Sequence, residues 1–208
     1  MINCQKALAK ATGKSEKRFG LSVVVDLNKN RHIYRCSQDI KNLISNSVIK
    51  RFNWIEEQSY HLTILRCKSV YSDFDATDET IEFLRTAFNK KNEFTVSALS
   101  AKLDDDGIIR LYFTEMPLYF FCDIDISTLS IITGLKYTTI NKPWVTVAYA
   151  IPEFIISIKE DYSYINKRLQ EVEMNFHLDV NSVTIVKYYD NAFQTKHAVS
   201  NIMLGGTL

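Results

Sequence analysis

Two strand-like segments in different halves of the sequence constrain its fold most strongly. They read HLTI at residues 61–64 and WVTV at residues 144–147. The two segments begin 83 positions apart (144 minus 61). Residues two apart in a β-strand face the same side, so His61 and Thr63 project together from the first segment. Trp144 and Thr146 do the same from the second. The apolar residues between them predict that the opposite side of each strand faces a core.

Apolar, β-branched runs alternate with amphipathic segments along the rest of the chain. The pattern predicts strands at 21–27, 60–67, 144–151 and 181–190, and hairpin arms at 94–103 and 108–115 around the turn DDDG. It predicts helices at 37–52, 75–92, about 125–133 and 161–176. Ser37 is the expected N-cap of the first helix. This order predicts an α+β fold with a mixed sheet and an internal pseudo-repeat, in which helices pack on one sheet face.

Length and composition predict one domain with a substantial core. The chain has 208 residues, 46% of them hydrophobic, and the few prolines and glycines form no linker. We expect a poorly ordered lead-in over residues 1–18 and a single domain over residues 19–208. The net charge of +1 gives no global field toward DNA or an anionic membrane, so any nucleotide site must be local. No segment has the length and apolar character expected of a membrane span.

The spacing of the cysteines and the absence of several known catalytic motifs exclude some classes of enzyme and metal site. Four widely separated cysteines form no CxxC pair, which argues against a zinc site and a disulfide framework and favours a reducing compartment, here the cytoplasm. The sequence contains no GxSxG, GxxxxGK[ST] or HExxH motif. The acidic run DDDG is better explained as a hairpin turn than as a metal site.

The repeated strand motif resembles that of the two-histidine (2H) phosphoesterases. This family includes bacterial RNA 2',3'-cyclic phosphodiesterases, RNA-ligase-like proteins and 2'-5' phosphodiesterases of animals and viruses. The resemblance extends from about Phe19 to Leu208, and the first motif, SYHLTILR, fits well. The second, KPWVTVAY, has Trp144 where the family has histidine. The resemblance implies a pseudo-symmetric, two-lobed fold with mixed or antiparallel sheets, outer helices, a central cleft and a mechanism without metal or cofactor.

The resemblance also implies roles for the motif residues. Cleavage through a cyclic phosphate needs a base and an acid, together with donors that hold the phosphoryl oxygens. His61 would supply one proton transfer, and the hydroxyls of Thr63 and Thr146 would contact the phosphate. The indole of Trp144 donates a hydrogen bond but does not titrate, so it cannot supply the other transfer. It could instead stack against a base.

Several residues near the motifs have an alternative structural explanation. Tyr60 and Tyr149 are candidate substrate-binding residues, but in regular strands they occupy positions that face away from the motif residues. Arg66 would likewise face the core side if the strand is regular, so we expect it at a strand end rather than in contact with a phosphate. His61 alone could be a core histidine, and Trp144 a packed aromatic. The remaining histidines, which could replace the missing one only if their loops reach the cleft, are His32, His177 and His197.

Two hypotheses of different classes follow. In the first, the protein is a phosphodiesterase with weakened activity on RNA ends, 2'-5' oligonucleotides or cyclic nucleotides. In the second, it is a degenerate relative that binds a nucleotide or a protein partner without turnover. An interaction protein with an unrelated α+β fold is a third, less favoured alternative.

Overall fold

Two five-stranded sheets form the framework of the computed structural model, which describes residues 1–13, 17–67, 77–190 and 196–205. The strands are β1 (Lys17–Asp26), β2 (Phe52–Trp54), β3 (His61–Cys67), β4 (Phe94–Leu103), β5 (Ile108–Phe113), β6 (Tyr137–Thr139), β7 (Trp144–Ala150), β8 (His177–Val180), β9 (Ser182–Asp190) and β10 (Lys196–Met203). Every described strand pair is antiparallel, so the prediction of a mixed sheet is wrong.

The two sheets are built alike. One has the strand order β10-β9-β1-β3-β6, and the other, in the corresponding direction, has the order β8-β4-β5-β7-β2. In each sheet the strand with the sequence motif is fourth, and a three-residue edge strand follows it. β2 precedes β3 in the chain but pairs with β7, whereas β6 precedes β7 but pairs with β3. The predicted α+β fold with an internal pseudo-repeat is therefore confirmed.

Seven α-helices cover the described parts of these sheets. They are α1 (Cys4–Gly13), α2 (Arg31–Leu43), α3 (Asn46–Ile49), α4 (Asp78–Asn89), α5 (Ile126–Thr133), α6 (Ile155–Glu160) and α7 (Tyr162–Leu169). Helix α4 packs against β9 and β10, and α7 packs against β4. The apolar faces meet in one core cluster that contains residues of both sheets. None of the helices in the described ranges is long and apolar enough to cross a membrane.

The predicted helix boundaries differ from the structure most at α2. Asn30 rather than Ser37 is the N-cap, because its side-chain oxygen accepts hydrogen bonds from the backbone N–H groups of His32 and Ile33. Ser37 lies inside the helix and is buried. Helix α5 was predicted correctly: Asp125 caps its start, and Gly134, with φ of 67°, ends it in the left-handed conformation.

The N-terminal segment is a packed helix rather than a poorly ordered lead-in, as far as residues 1–13 show. Ile2 and Ala7 are only 4% and 1% exposed. The backbone N–H of Asn3 donates to the carbonyl of Asp105 at 2.8 Å, which attaches the start of α1 to the β4–β5 turn. This attachment depends on a segment about a hundred residues away, which local sequence does not reveal.

Candidate functional site

The two motif strands meet where the two sheets adjoin. β3 and β7 belong to different sheets, yet they contact each other. His61 and Thr63 are half-buried, as are Trp144 and Thr146, whereas the apolar residues between the members of each pair are fully buried. The motif residues therefore project from the side of each strand that is opposite the hydrophobic core, as the sequence predicted.

A β-bulge in β3 changes which residues share the face of His61. Two successive residues of β1 pair with Thr63 and Leu65, so Ile64 is an extra residue without a partner in β1. The alternation of side chains is reset at this point. Leu65 faces the core, and Arg66 lies on the same face as Thr63 and His61. The core-facing orientation of Arg66 holds only for a regular strand, and the bulge removes it; Arg66 is the next-to-last residue of β3, at the strand end where the sequence predicted it.

A second bulge occurs at the equivalent point of β7. Two successive residues of β5 pair with Ala148 and Thr146, which leaves Val147 as the extra residue. Tyr149 therefore lies on the same face as Thr146 and Trp144, and it is half-buried. The predicted opposite orientation of Tyr149 is wrong, again because the strand is not regular.

Tyr60 does not reach this face. It immediately precedes β3, its backbone carbonyl accepts from the N–H of Leu27, and its side chain is only 2% exposed. Burial raises the pKa of its hydroxyl. The prediction of Tyr60 as a substrate-binding residue is therefore corrected: it belongs to the hydrophobic core.

His61 is oriented by the backbone just before its strand. A single 3₁₀ turn, Glu57–Ser59, places the carbonyl oxygen of Ser59 2.8 Å from Nδ1 of His61. A carbonyl oxygen can only accept a hydrogen bond, so Nδ1 carries the proton. In the neutral ring the other nitrogen, Nε2, is then the basic one. The local backbone thus selects the tautomer that can take a proton through Nε2.

Trp144 is held by a network of charged side chains that begins on β5. Its register partner is Tyr112, and the guanidinium carbon of Arg110 lies 5.6 Å from the centroid of the indole ring. Arg110 donates to Asp104 at 2.5 Å and to both oxygens of Asp106 at 2.8 Å. The hydroxyl of Tyr112 also donates to Asp104. The aspartates of the predicted DDDG turn thus hold the side chains next to Trp144.

The pKa values in this network favour the charged forms of Arg110 and Asp106 and the neutral form of Tyr112. Burial disfavours the charge on Arg110, but its hydrogen bonds to Asp106 and Asp104 outweigh burial and raise its pKa. Burial likewise opposes the ionised form of Asp106, yet Arg110 lowers the pKa of that carboxyl below its usual value. Burial and the bond to Asp104 raise the pKa of Tyr112. None of these groups offers the titration near neutral pH that a second histidine would give.

The other three histidines are carried by other elements than the motif strands. His32 is on α2, where its ring stacks on Phe176 with centroids 5.1 Å apart. His177 begins β8, at the far edge of its sheet from β7, and is exposed. His197 is on β10, three strands from β3, and is exposed. His61 is therefore the one histidine of this chain on the motif strands, which leaves the position of Trp144 without a titrating ring.

Sequence reasoning missed Arg110 and Tyr112. The hairpin arm IIRLYF carries its two polar residues at alternate positions, which places both on one face of the strand. That alternation is sufficient to predict that the two side chains share a face. The pairing of β5 with β7, which brings this face beside Trp144 and Thr146, could not be predicted from the sequence.

A separate groove of about 620 Å³ lies between α4 and α5. Its lining includes Glu79, Phe83, Lys90 and Asp125, and it contains none of the motif residues.

Comparisons with known proteins add information at the level of the fold. No protein-family model matches the sequence, and no curated protein matches it. Solved structures do match: E. coli LigT in its complex with 3'-AMP has a TM-score of 0.53 at 10% identity, over 91% of this chain and 100% of that chain. The protein TT0787 of Thermus thermophilus also has a TM-score of 0.53 at 10% identity, over 92% and 100% of the two chains.

A third match is the conserved protein of unknown function ATU0111 from Agrobacterium tumefaciens. Its TM-score is 0.53 at 11% identity, over 93% of this chain and 88% of that chain. At such low identity these likenesses concern the fold, and they agree with the paired antiparallel sheets and outer helices. LigT is a 2H phosphoesterase. The chain therefore has the fold of the 2H phosphoesterases.

Proposed function

We propose that this protein binds a phosphodiester or cyclic phosphate of RNA or of a nucleotide between β3 and β7, and hydrolyses it with weakened activity. The observation that carries this proposal is the matching placement of the two motifs. His61 and Thr63 project from one sheet, and Trp144 and Thr146 project from the equivalent strand of the other. A phosphoryl group between the two strands would accept hydrogen bonds from both threonine hydroxyls.

His61 is the proposed proton-transfer residue. With its Nδ1 proton directed at the Ser59 carbonyl, the neutral imidazole can take a proton from an attacking water through Nε2. Protonation of the leaving oxygen would then fall to solvent, because Trp144 cannot give up its N–H proton and Tyr112 directs its hydroxyl proton at Asp104. The loss of one general catalyst costs on the order of 10²–10⁴ in rate.

Nucleotides are the natural first ligands to test. Crystal structures of E. coli LigT contain 3'-AMP in one case and NADP+ in another. The fold shared with LigT supports the use of 3'-AMP as a binding probe for this chain, and 2',3'-cyclic nucleotides and 2'-5' oligoadenylate as trial substrates.

The direct test compares hydrolysis of these trial substrates by the wild-type protein, His61→Ala and Trp144→His. We expect slow wild-type hydrolysis, loss of that activity in His61→Ala, and a gain on the order of 10²-fold in Trp144→His because a second titrating ring is restored. Wild-type activity that survives in His61→Ala would contradict the assignment of His61. Binding of no nucleotide by calorimetry would contradict the site as a whole.

Binding without turnover is the second candidate, and the position of Trp144 favours it. A half-buried indole braced by Arg110 offers a rigid aromatic surface at the motif position, and stacking of one base on such a surface contributes about 1–3 kcal/mol. If the wild-type protein binds 3'-AMP but hydrolyses none of the trial substrates, and Trp144→Ala weakens binding about tenfold or more, this candidate holds. Equal affinity of Trp144→Ala and wild type would contradict it.

A further inference from the structure

Asp26 lies directly opposite His61 across the pair of strands β1 and β3. The two residues are register partners, and just beyond them the backbone N–H of Leu27 donates to the carbonyl of Tyr60 at 3.0 Å. Because that bond flanks the pair, Asp26 and His61 form a non-hydrogen-bonded pair, the kind in which facing side chains lie closer together. Their Cβ atoms are therefore about 4.5–5.5 Å apart. The strand pairing thus places a carboxylate beside the imidazole, on the same face of the sheet.

The local backbone explains a hydrogen-bond acceptor at position 26 but not a charge. Oδ1 of Asp26 accepts from the backbone N–H of Asn28 at 3.2 Å, where the chain turns from β1 toward α2. An asparagine at this position would accept the same bond. The side chain of Asp26 is exposed and that of His61 is half-buried. The turn therefore leaves the negative charge opposite the histidine to be explained.

The corresponding position of the other sheet holds no charge. The register partner of Trp144 on β5 is Tyr112, and β5 has the same place in its sheet as β1 has in the first. The carboxylate thus stands opposite the ring that titrates, and a phenol stands opposite the indole that does not.

Other titratable groups on the described elements around β3 are less directly placed. The strands in contact with β3 are β1, β6 and β7; β6 carries no charged residue, and its Tyr137 belongs to the core. The remaining titratable side chains on the motif face or in the turn before β3 are Arg66, Tyr149, Glu56 and Glu57. Arg66 is five residues from His61, or roughly 16 Å at about 3.3 Å per residue, where salt screens most of the interaction. Of these groups, Asp26 is the one that a strand pair places directly beside the ring.

We propose that Asp26 is a positioning residue for His61, whose carboxylate stabilises the imidazolium that forms when Nε2 takes a proton. The inference rests on the proposed function and adds a residue to it. The attacking water gives one proton to Nε2 and its oxygen to phosphorus. The bond from phosphorus to the leaving oxygen breaks, that oxygen takes a proton from solvent, and the imidazolium later returns its proton to solvent. While the ring is charged, Nδ1 donates to the Ser59 carbonyl and the carboxylate of Asp26 offsets the charge.

The test follows the titration of the His61 ring by NMR in the intact protein, which requires neither substrate nor turnover. Comparison with His61→Ala assigns its signals among those of the four histidines. Asp26→Asn removes the charge but keeps the oxygen that accepts from Asn28. We expect the midpoint of the His61 titration to move to lower pH by about half a unit or more in Asp26→Asn, because the imidazolium loses an adjacent negative charge. Asp26→Ala should move the midpoint by a similar amount.

Asp179→Asn is the matched control. Asp179 is also a strand aspartate whose Oδ1 accepts a hydrogen bond, from Thr95 at 2.7 Å, and it lies on β8 at the far edge of the other sheet. This substitution should leave the midpoint of His61 unchanged. An unchanged midpoint in Asp26→Asn would overturn the role of Asp26. A shift in Asp26→Ala alone would overturn it too, because the hydrogen bond to Asn28 and not the charge would then be responsible.

Hydrolysis provides a second measurement that separates this inference from the proposed function. In Asp26→Asn the acidic limb of the kcat/KM profile should move to lower pH with the NMR midpoint. Above that limb kcat/KM should fall about twofold or more, because His61 becomes a weaker base. A kcat/KM profile identical to that of wild type would overturn the role of Asp26 in the reaction. Absence of hydrolysis in wild type, together with the NMR shift, would contradict the hydrolytic function and support the interaction of Asp26 with His61.

Discussion

The motif strands β3 and β7 have the same backbone plan and different chemistry. In each, a half-buried residue is followed two positions later by a threonine, and a bulge comes directly after that threonine. In β3 the first residue is His61, which a backbone carbonyl orients. In β7 it is Trp144, which lies against Arg110 and its two aspartates.

This difference shows that two strands with the same pairing and the same bulge can carry side chains of different chemistry. The bulges and the short edge strands are set by strand pairing, and the threonines by the sequence; all three features occur in both halves. The capacity for proton transfer depends on one side chain in each half. Under the proposed function, the sheet with Trp144 at this position would keep its platform for a ligand and would lack an acid or base.

The largest expected effect concerns the charged network of Arg110, Asp104 and Asp106 on the β7 side. Arg110 is 11% exposed, and Asp104 and Asp106 are 15% and 7% exposed. Arg110→Met would leave the buried Asp106 without its ion-pair partner and the half-buried Asp104 with only Lys102 at 3.9 Å, and we expect it to lower the free energy of unfolding by about 3–5 kcal/mol. Chemical denaturation at pH 7 measures this change.

Lys142→Met is a suitable control for Arg110→Met. Its ion pair with Glu115 is largely exposed, with side chains 72% and 58% accessible, so we expect a change of at most about 1 kcal/mol. If the two substitutions lower the free energy of unfolding by similar amounts, the network around Arg110 does not stabilise β7. The two motif strands would then not differ in this respect.

A smaller effect, equal in the two strands, is expected at the threonines. Thr63→Val and Thr146→Val each remove one donor from the proposed phosphate site. A hydrogen bond to a charged group contributes about 1.5–3 kcal/mol, so each substitution should weaken 3'-AMP binding about tenfold or more. Thr95→Val, which removes a strand hydroxyl that donates to Asp179 at 2.7 Å, should leave binding unchanged. If only one of Thr63→Val and Thr146→Val loses affinity for 3'-AMP, the two strands do not contact the same ligand.

The smallest expected effect is a pH dependence of stability on the β7 side. The folded-state pKa of Asp106 is lowered, because Arg110 outweighs burial. A lowered folded pKa gives stability that is complete above the unfolded value of about 3.9 and is lost as the pH falls through the folded value. Unfolding measured from pH 7 to pH 3 should therefore show a steeper loss below about pH 4 in wild type than in Asp106→Asn. Parallel curves would contradict the stated role of Arg110.

Much of the fold could be predicted from periodicity and turn residues. The strand around His61, the strand that begins at Trp144, the hairpin around DDDG and helix α5 follow from patterns within single segments. The resemblance between the two motifs was sufficient to predict a pseudo-symmetric α+β fold. Those features depend on local sequence, which determines side-chain alternation and helix caps.

The rest depends on contacts between distant segments. A bulge is set by the pairing of two strands, so the faces of Arg66 and Tyr149 cannot be derived from the sequences of β3 and β7 alone. The three-residue strands β2 and β6 are too short to show a period. The packing of α1 depends on the β4–β5 turn, about a hundred residues away in the chain, and so it could not be predicted from the local sequence.

The most direct test of the central claim is a crystal structure of the wild-type protein with 3'-AMP. If β3 and β7 share one ligand, the phosphate will lie between the strands, within about 2.5–3.0 Å of the hydroxyl oxygens of both Thr63 and Thr146. The side chain of Trp144 will border the same site. A phosphate that contacts only one of the two strands, or a nucleotide bound in the groove between α4 and α5, would contradict the account.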